Sequence, residues 1–403
     1  MASSRPSRAR GPTPRWSPQL SYFLASFAWN YGLGMTWLVV PLYAHAQGLT
    51  GAQLGILFSA PATVQLAVNL LGGALVDRVG GRRIMLASAA LLASGAAAMP
   101  FAQCFAPLFG AQLLLVVGRA TFWPANWSIA AELPGARGVQ AGRLNAVTSF
   151  GQILGNGACG FILAWAGYGA TFGVLCAFGI AALLFALGAP RSSPRAATEG
   201  GLFGNYRRLV RQPIMAYTVL CAYLSALPFS LAMSFYPLLL QQFGFGEESS
   251  GVLLALRAVG GIGTGLLVAR FVHTGAASLW PVLSGAFVSI AVGLQPLVSH
   301  WAGVGAFMLA LGVGAGVMTV YFQVTIAELV PAPMRGSAMA LGGLGWAVSH
   351  FSTPLIMGFL ADRYGLASGF YALGALSLAV LAFVAGLRSW AFSRGALTHA
   401  GTP

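Results

Sequence analysis

The sequence predicts an all-α membrane protein with twelve transmembrane helices in two pseudo-symmetric six-helix bundles. Three observations lead there: the chain has too little charge to coat a soluble globule, its arginines cluster in alternate gaps between apolar runs, and its two halves share short motifs in the same order.

Of the 403 residues, 57% are hydrophobic and 7% charged, and the mean hydropathy is +0.78. Such a chain cannot present a polar surface to water and belongs in lipid. A helix needs roughly 20 apolar residues to cross about 30 Å of hydrocarbon. Twelve crossings with short loops therefore use most of the chain, leaving no room for a soluble catalytic domain.

Apolar runs begin near Leu20, Leu54, Ile84, Ala106, Val139 and Ala170, then near Ile214, Gly251, Ala277, Gly303, Ser337 and Gly369. The longest polar stretch separates the two sets. This divides the chain into a cytoplasmic tail (1–18), a first six-helix bundle (19–189), a cytoplasmic linker (190–212), a second six-helix bundle (213–391) and a short cytoplasmic tail (392–403). The basic N-terminus runs into a long apolar stretch without a clear cleavage site, so it reads as a retained tail and not as a signal peptide.

The net charge of +14 comes from arginine. With the N-terminus inside, 18 of the 21 arginines fall on the cytoplasmic side: Arg5, Arg8, Arg10, Arg15, Arg78, Arg82, Arg83, Arg137, Arg143, Arg270, Arg335, Arg388 and Arg394, with Arg191, Arg195, Arg207, Arg208 and Arg211 of the linker. Arg363 falls outside, and Arg119 and Arg257 lie within spans. This asymmetry is the positive-inside pattern. It predicts a multi-pass protein of the bacterial inner membrane with both termini cytoplasmic, and it excludes nucleic acid as a partner, for which an even basic surface would be wanted. Cys104, Cys159, Cys176 and Cys221 lie in or beside apolar stretches without CxxC spacing. They suggest neither a disulfide framework nor a metal site. No cofactor is expected, and the chain reads as a monomer in the bilayer.

The halves repeat. Ala131-Glu132-Leu133 matches Ala327-Glu328-Leu329 at an offset of 196, and Gly160-Phe161-Ile162 matches Gly358-Phe359-Leu360 at 198. Tyr168-Gly169 matches Tyr364-Gly365 at 196, and the segment from Gly73 to Arg78 is echoed from Gly265 to Arg270 at 192. Four matches in order mean two related six-helix units, the plan in which a solute sits between halves.

Between the second and third runs stands GALVDRVGGRR, Gly73 to Arg83. It resembles the signature between helices 2 and 3 of the major facilitator superfamily, and GFLADRYG, Gly358 to Gly365, is similar to the end of helix 11 in the same superfamily. Gly73 permits close helix packing, Asp77 supplies an anion near a helix end, and Arg82 or Arg83 can pair across the cytoplasmic interface. Gly73, Asp77, Arg78, Gly80, Arg82 and Arg83 are thus candidates for a conformational gate. The resemblance implies a central cavity lined mainly by helices 1, 4, 7 and 10, and secondary active transport by alternating access. The stretch from Val39 to Ala62 looks most like the drug-exporting branches. Those branches usually carry an arginine early in helix 4, where Gln112 stands here.

An ionisable side chain within a span costs several kcal/mol unless it faces protein or water, which makes it a functional candidate. Arg119 lies near the middle of helix 4 with Trp123 and Trp127 nearby, and Arg257 lies in helix 8. Each reads as an anion anchor or as an arginine held by local acceptors. Asn30 and Tyr31 in helix 1, Tyr236 in helix 7, and Tyr321 and Gln323 in helix 10 are candidate substrate contacts, or buried packing residues. His350 in helix 11 is a candidate for proton exchange, since histidine titrates near neutral pH. Glu132 and Glu328, which end helices 4 and 10, are candidates for coupling or for a gate ion pair. Two readings result: a carrier of an organic anion or zwitterion, coupled to protons through these groups, and an exporter of amphiphilic drugs. A sensor or scaffold without flux is the rival of another class. An enzyme is a poor rival, because hydrolysis inside the membrane would want converging groups such as paired aspartates, and the chain's two, Asp77 and Asp362, fall on opposite faces.

Overall fold

The computed structural model describes residues 17–191, 208–267, 271, 278–331 and 334–395. Among them the order is α1 (Pro18–Ala46), α2 (Gly51–Val79), α3 (Gly81–Ala98), α4 (Phe105–Glu132), α5 (Arg137–Gly188), α6 (Pro213–Ala232), α7 (Tyr236–Gln242), α8 (Glu247–Leu267), α9 (Trp280–Leu294), α10 (Trp301–Leu329), α11 (Arg335–Gly342), α12 (Leu344–Tyr364) and α13 (Leu366–Gly395). The first tail, most of the expected linker and the last residues lie outside the described residues. So do Arg5, Arg8, Arg10, Arg15, Arg195, Arg207 and Arg270 of the arginine pattern.

Ten helices among the described residues are long and apolar enough to cross a membrane. One of them belongs to α5, which runs for 52 residues. At about 1.5 Å per residue it is more than twice as long as a hydrocarbon core of about 30 Å is thick. It is interrupted at Gly167, whose φ of 73° and ψ of −178° only glycine adopts without strain. The fifth and sixth apolar runs of the sequence therefore meet at that residue. α8 is not one of the ten; it carries Glu247 and Glu248 in its first turn and Arg257 near its middle.

Before the linker, α1 lies along α5 and α3 packs on α4; after it, α8 packs on α10, α6 on α12, and α9 on α13. The main contacts that join the two halves are α2 with α12 and α5 with α8. Glycines make them close. A methyl group added at Gly358 would meet the Gly51 carbonyl, and one at Gly160 would meet the Glu247 carbonyl. One added at Gly55 would lie 2.7 Å from the Pro354 carbonyl, and one at Gly251 would lie 2.8 Å from the Asn156 carbonyl. These contacts form repeat-related pairs: Gly51 and Gly55 correspond to Glu247 and Gly251 at an offset of 196, and Asn156 and Gly160 to Pro354 and Gly358 at 198. The internal repeat is therefore visible as a repeated contact.

Asp362 fastens one of these contacts. The first backbone N–H groups of a helix have no partner within it. In α2, Thr50 and Gln53 form a capping box, which leaves Gly51 and Ala52. Their N–H groups donate to the two carboxylate oxygens of Asp362 at 2.6 and 2.8 Å, so an acid from the other half caps the positive end of the helix. Charge-assisted bonds of this kind contribute about 1.5–3 kcal/mol. Asp362→Asn is expected to speed amide exchange roughly tenfold at Gly51 and Ala52, and also in the first turn of α8, which Asp362 does not touch. Faster exchange at α2 with none at α8 would mean that the two contacts open independently.

Candidate functional site

Between the two halves lies a small cavity of about 30 Å³. Its walls are Thr36 and Trp37 of α1, Phe58 of α2, Gln112 and Arg119 of α4, Ser230 of α6, Met233, and His350 and Pro354 of α12. Met233 is available because α6 stops at Ala232 and helix resumes only at Tyr236. That stop comes one turn after Pro228, which removes a hydrogen-bond donor from the helix. Broken helices at membrane depth are tolerated where they line a cavity. At this volume there is room for about one water, and none for an organic solute.

Arg119 sets the electrostatics. Nη2 donates to Gln65 Oε1 at 2.6 Å, and Nη1 approaches the Met233 sulfur at 2.7 Å. Nε has no partner. An amide oxygen and a thioether are weak compensation for a guanidinium, which stays charged. Among the described residues no acidic side chain pairs with it. The site is thus cationic and short of acceptors, a composition that favours an anion.

His350 lines the same cavity with 7% exposure. Its Nδ1 donates to the Trp346 carbonyl at 2.7 Å, since a carbonyl can only accept. Nε2 is then the acceptor of the neutral ring. The imidazole stacks on Trp346 (5.8 Å, 20°), Trp346 meets Phe229 (5.0 Å), and Phe229 meets Trp37 edge-on (6.0 Å, 89°). Arg257 lies over the last two rings, 4.3 Å from Phe229 and 5.0 Å from Trp37. The structure thereby puts His350 and Arg257 on one aromatic wall, and Trp37 of that wall lines the cavity that holds Arg119.

The other expected contacts are placed elsewhere. Asn30 is fully buried, with its amide donating to the Ser26 carbonyl at 2.8 Å and accepting from Gln152 at 2.8 Å, so it joins α1 to α5. Tyr31 stacks on Phe178 at 3.8 Å and lines an apolar groove between α5 and α8. Trp123 packs edge-on against Phe122, and neither it nor the exposed Trp127 lines the cavity. Tyr321 faces Tyr217 with hydroxyls 3.4 Å apart, and Gln323 is exposed. Helix 10 of the expected cavity does not reach this one. Tyr236 is buried with an unpartnered hydroxyl.

Among the gate residues, Gly80 has a φ of 91° between α2 and α3. Arg78 and Arg83 are exposed. Arg82 donates to the carbonyls of Ala186 (3.2 Å) and Leu187 at the end of α5, within its own half. The Asp77 side chain, and residue Gly73 beyond its helical backbone, lie outside what is described. Glu132 and Glu328 are exposed at helix ends, away from the cavity walls.

The comparisons with known proteins agree with this architecture. The profile of the Major Facilitator Superfamily matches residues 20–354. The quinolone resistance protein NorA of Staphylococcus aureus is 26% identical over 133 residues, 32% of this chain; the chain spans about a third (34%) of the length of that relative. The 3-(3-hydroxy-phenyl)propionate transporter of Escherichia coli K12 is 27% identical over 334 residues, covering 78% of this chain and 79% of its own. The solved structure of the nucleoside transporter NupG superposes with a TM-score of 0.75 at 12% identity, covering 92% of this chain and 99% of its own. An inward-facing, unoccupied bacterial homolog of the human lysosomal transporter Spinster gives 0.73 at 16%, covering 95% and 98%. The chain belongs to the Major Facilitator Superfamily, whose multi-span helical members are alternating-access secondary transporters and not enzymes.

Proposed function

We propose that this chain carries a small organic anion of the aromatic carboxylate class across the bacterial inner membrane, with a proton. The observation that carries the reading is Arg119, a guanidinium in a cavity between the halves with no carboxylate among the described residues to neutralise it. A substrate carboxylate supplies the acceptors that Gln65 and Met233 supply poorly, and the aromatic wall suits a ring. The Escherichia coli relative is by name a transporter of an aromatic carboxylate, and that alignment spans most of both chains.

The fold supports a particular transport cycle. The chain crosses the membrane twelve times in two bundles of six, counting α5 as two crossings divided at Gly167 and α8 as one. The arginine pattern puts both termini and the linker in the cytoplasm, so the glycine contacts and the Asp362 cap close the periplasmic end. A solute would enter from either side when the halves rock apart. The protein works as a monomer.

His350 takes the coupling proton. A proton on Nε2 sets a second positive charge in the cavity with Arg119, and an arriving carboxylate offsets that repulsion, so anion and proton load together. Glu132 and Glu328 act at the cytoplasmic gate. His350→Gln keeps a polar side chain that cannot ionise. It is expected to abolish the stimulation of uptake by an inward proton gradient, measured in proteoliposomes; stimulation equal to that of the parent would move coupling to another group.

The test of the reading is uptake of labelled 3-phenylpropionate into proteoliposomes, compared with that of a quinolone. Saturable, gradient-driven flux of the acid is expected. The NorA alignment favours a second reading, amphiphile efflux: movement of the quinolone alone would establish that one. Binding of either without flux would point to a sensor.

A further inference from the structure

Arg257 is 1% exposed, and among the described residues its Nε and Nη2 have no hydrogen-bond partner. The Tyr236 hydroxyl and Trp37 Nε1, also buried, are unpartnered as well, and Tyr236 is close enough to Arg257 to interact electrostatically. Buried polar groups are almost always satisfied, so four such donors on three neighbouring side chains are exceptional. The ring faces of Trp37 and Phe229 stabilise the guanidinium through its π face. They do nothing for the N–H groups in its plane, which call for an acceptor with two oxygens, a carboxylate or phosphate. Trp37 ties this cluster to the cavity already described, since its ring lines the Arg119 cavity and also lies beneath Arg257.

We propose that Arg257, Tyr236 and Trp37 form a second oxyanion subsite, so that the favoured solute is a diacid with an apolar or aromatic body: one acid on Arg119 and the other on Arg257. The proposal rests on the reading of Arg119 as the first anchor. It narrows the substrate class from aromatic acids to aromatic diacids. It also gives each half of the protein one end of the solute, since Arg119 comes from α4 and Arg257 from α8. A diacid bound at both ends couples the halves during rocking, whereas a monoacid leaves one guanidinium unsatisfied.

The test compares the binding of 3-(4-carboxyphenyl)propionate and 3-phenylpropionate to the purified full-length protein by calorimetry. The diacid is expected to bind at least about tenfold tighter, the worth of one charge-assisted hydrogen bond. In Arg257→Gln the ratio of the two affinities should fall to near one. Tyr236→Phe, which removes a single hydroxyl, should lower the ratio by about threefold and provides the answer if the arginine variant does not fold. A ratio near one in the parent protein, or a ratio that neither variant changes, would overturn the proposal. So would a monoacid that reaches the diacid's affinity once inorganic phosphate is added, since the second anion would then be a free ion. The two levels fail separately: loss of the ratio removes the second subsite alone, whereas unchanged binding of both acids to Arg119→Ala would remove the first anchor.

Discussion

Replacing Arg119 by alanine is expected to weaken binding of an aromatic carboxylate by roughly 100-fold, the effect of losing a two-pronged, charge-assisted contact in a buried site. The protein should remain folded. The guanidinium has only Gln65 and Met233 as partners, and removing a poorly compensated buried charge also removes its desolvation penalty. Arg119→Lys is the informative intermediate. It keeps the charge and loses the planar fork, so affinity should fall by about tenfold and not vanish. Uncharged ligands should be little affected by either change. Thermal stabilisation of the purified protein by 3-phenylpropionate reads all three cases, because a ligand that binds only the native state raises its melting temperature. Equal stabilisation of parent and alanine variant would make Arg119 a structural cation and bring amphiphile efflux forward.

The sequence disclosed Arg119, Arg257 and His350 for one reason: charge and titratable nitrogen within apolar runs are expensive and therefore visible. It could not disclose which polar neighbours share a cavity with them. Gln65 and Met233 are unremarkable in an apolar helix and become site residues only when α2, α4 and the break after α6 are brought together. The sequence does hold a trace of that break in Pro228, but not which side chain it frees. Asn30 illustrates the opposite case. An amide in the first span looks like a substrate contact, yet it is used up by Ser26 and Gln152 in joining α1 to α5. The face a helix turns to the cavity is a tertiary property, and spans that are apolar on most sides carry little periodic signal to reveal it. The repeat was more legible. Gly160 and Gly358 correspond in the sequence repeat, and they are corresponding points at which the halves touch.

Those glycines carry the second large effect. Gly358→Leu is expected to lower transport by roughly 100-fold, because the side chain must occupy space held by the backbone of α2, and overpacking at a rigid contact costs about 3 kcal/mol or more. The cost falls only on the conformation in which α2 and α12 touch. A protein that cannot form this contact should still fold, insert and bind its solute, but it cannot complete the cycle. Gly160→Leu should behave alike, since Gly160 makes the repeat-related contact with the first turn of α8. Gly173, where an added Cβ would meet nothing within 4 Å, supplies the control: Gly173→Leu should transport at nearly the parental rate. The separation between binding and flux is what distinguishes a gate from a fold defect. If Gly358→Leu lost binding and flux together, with a lowered melting temperature, the contact would be part of the core and not a moving surface. If it kept full flux, the two halves would need no such close approach, and the closed end described here would not be a stage of transport.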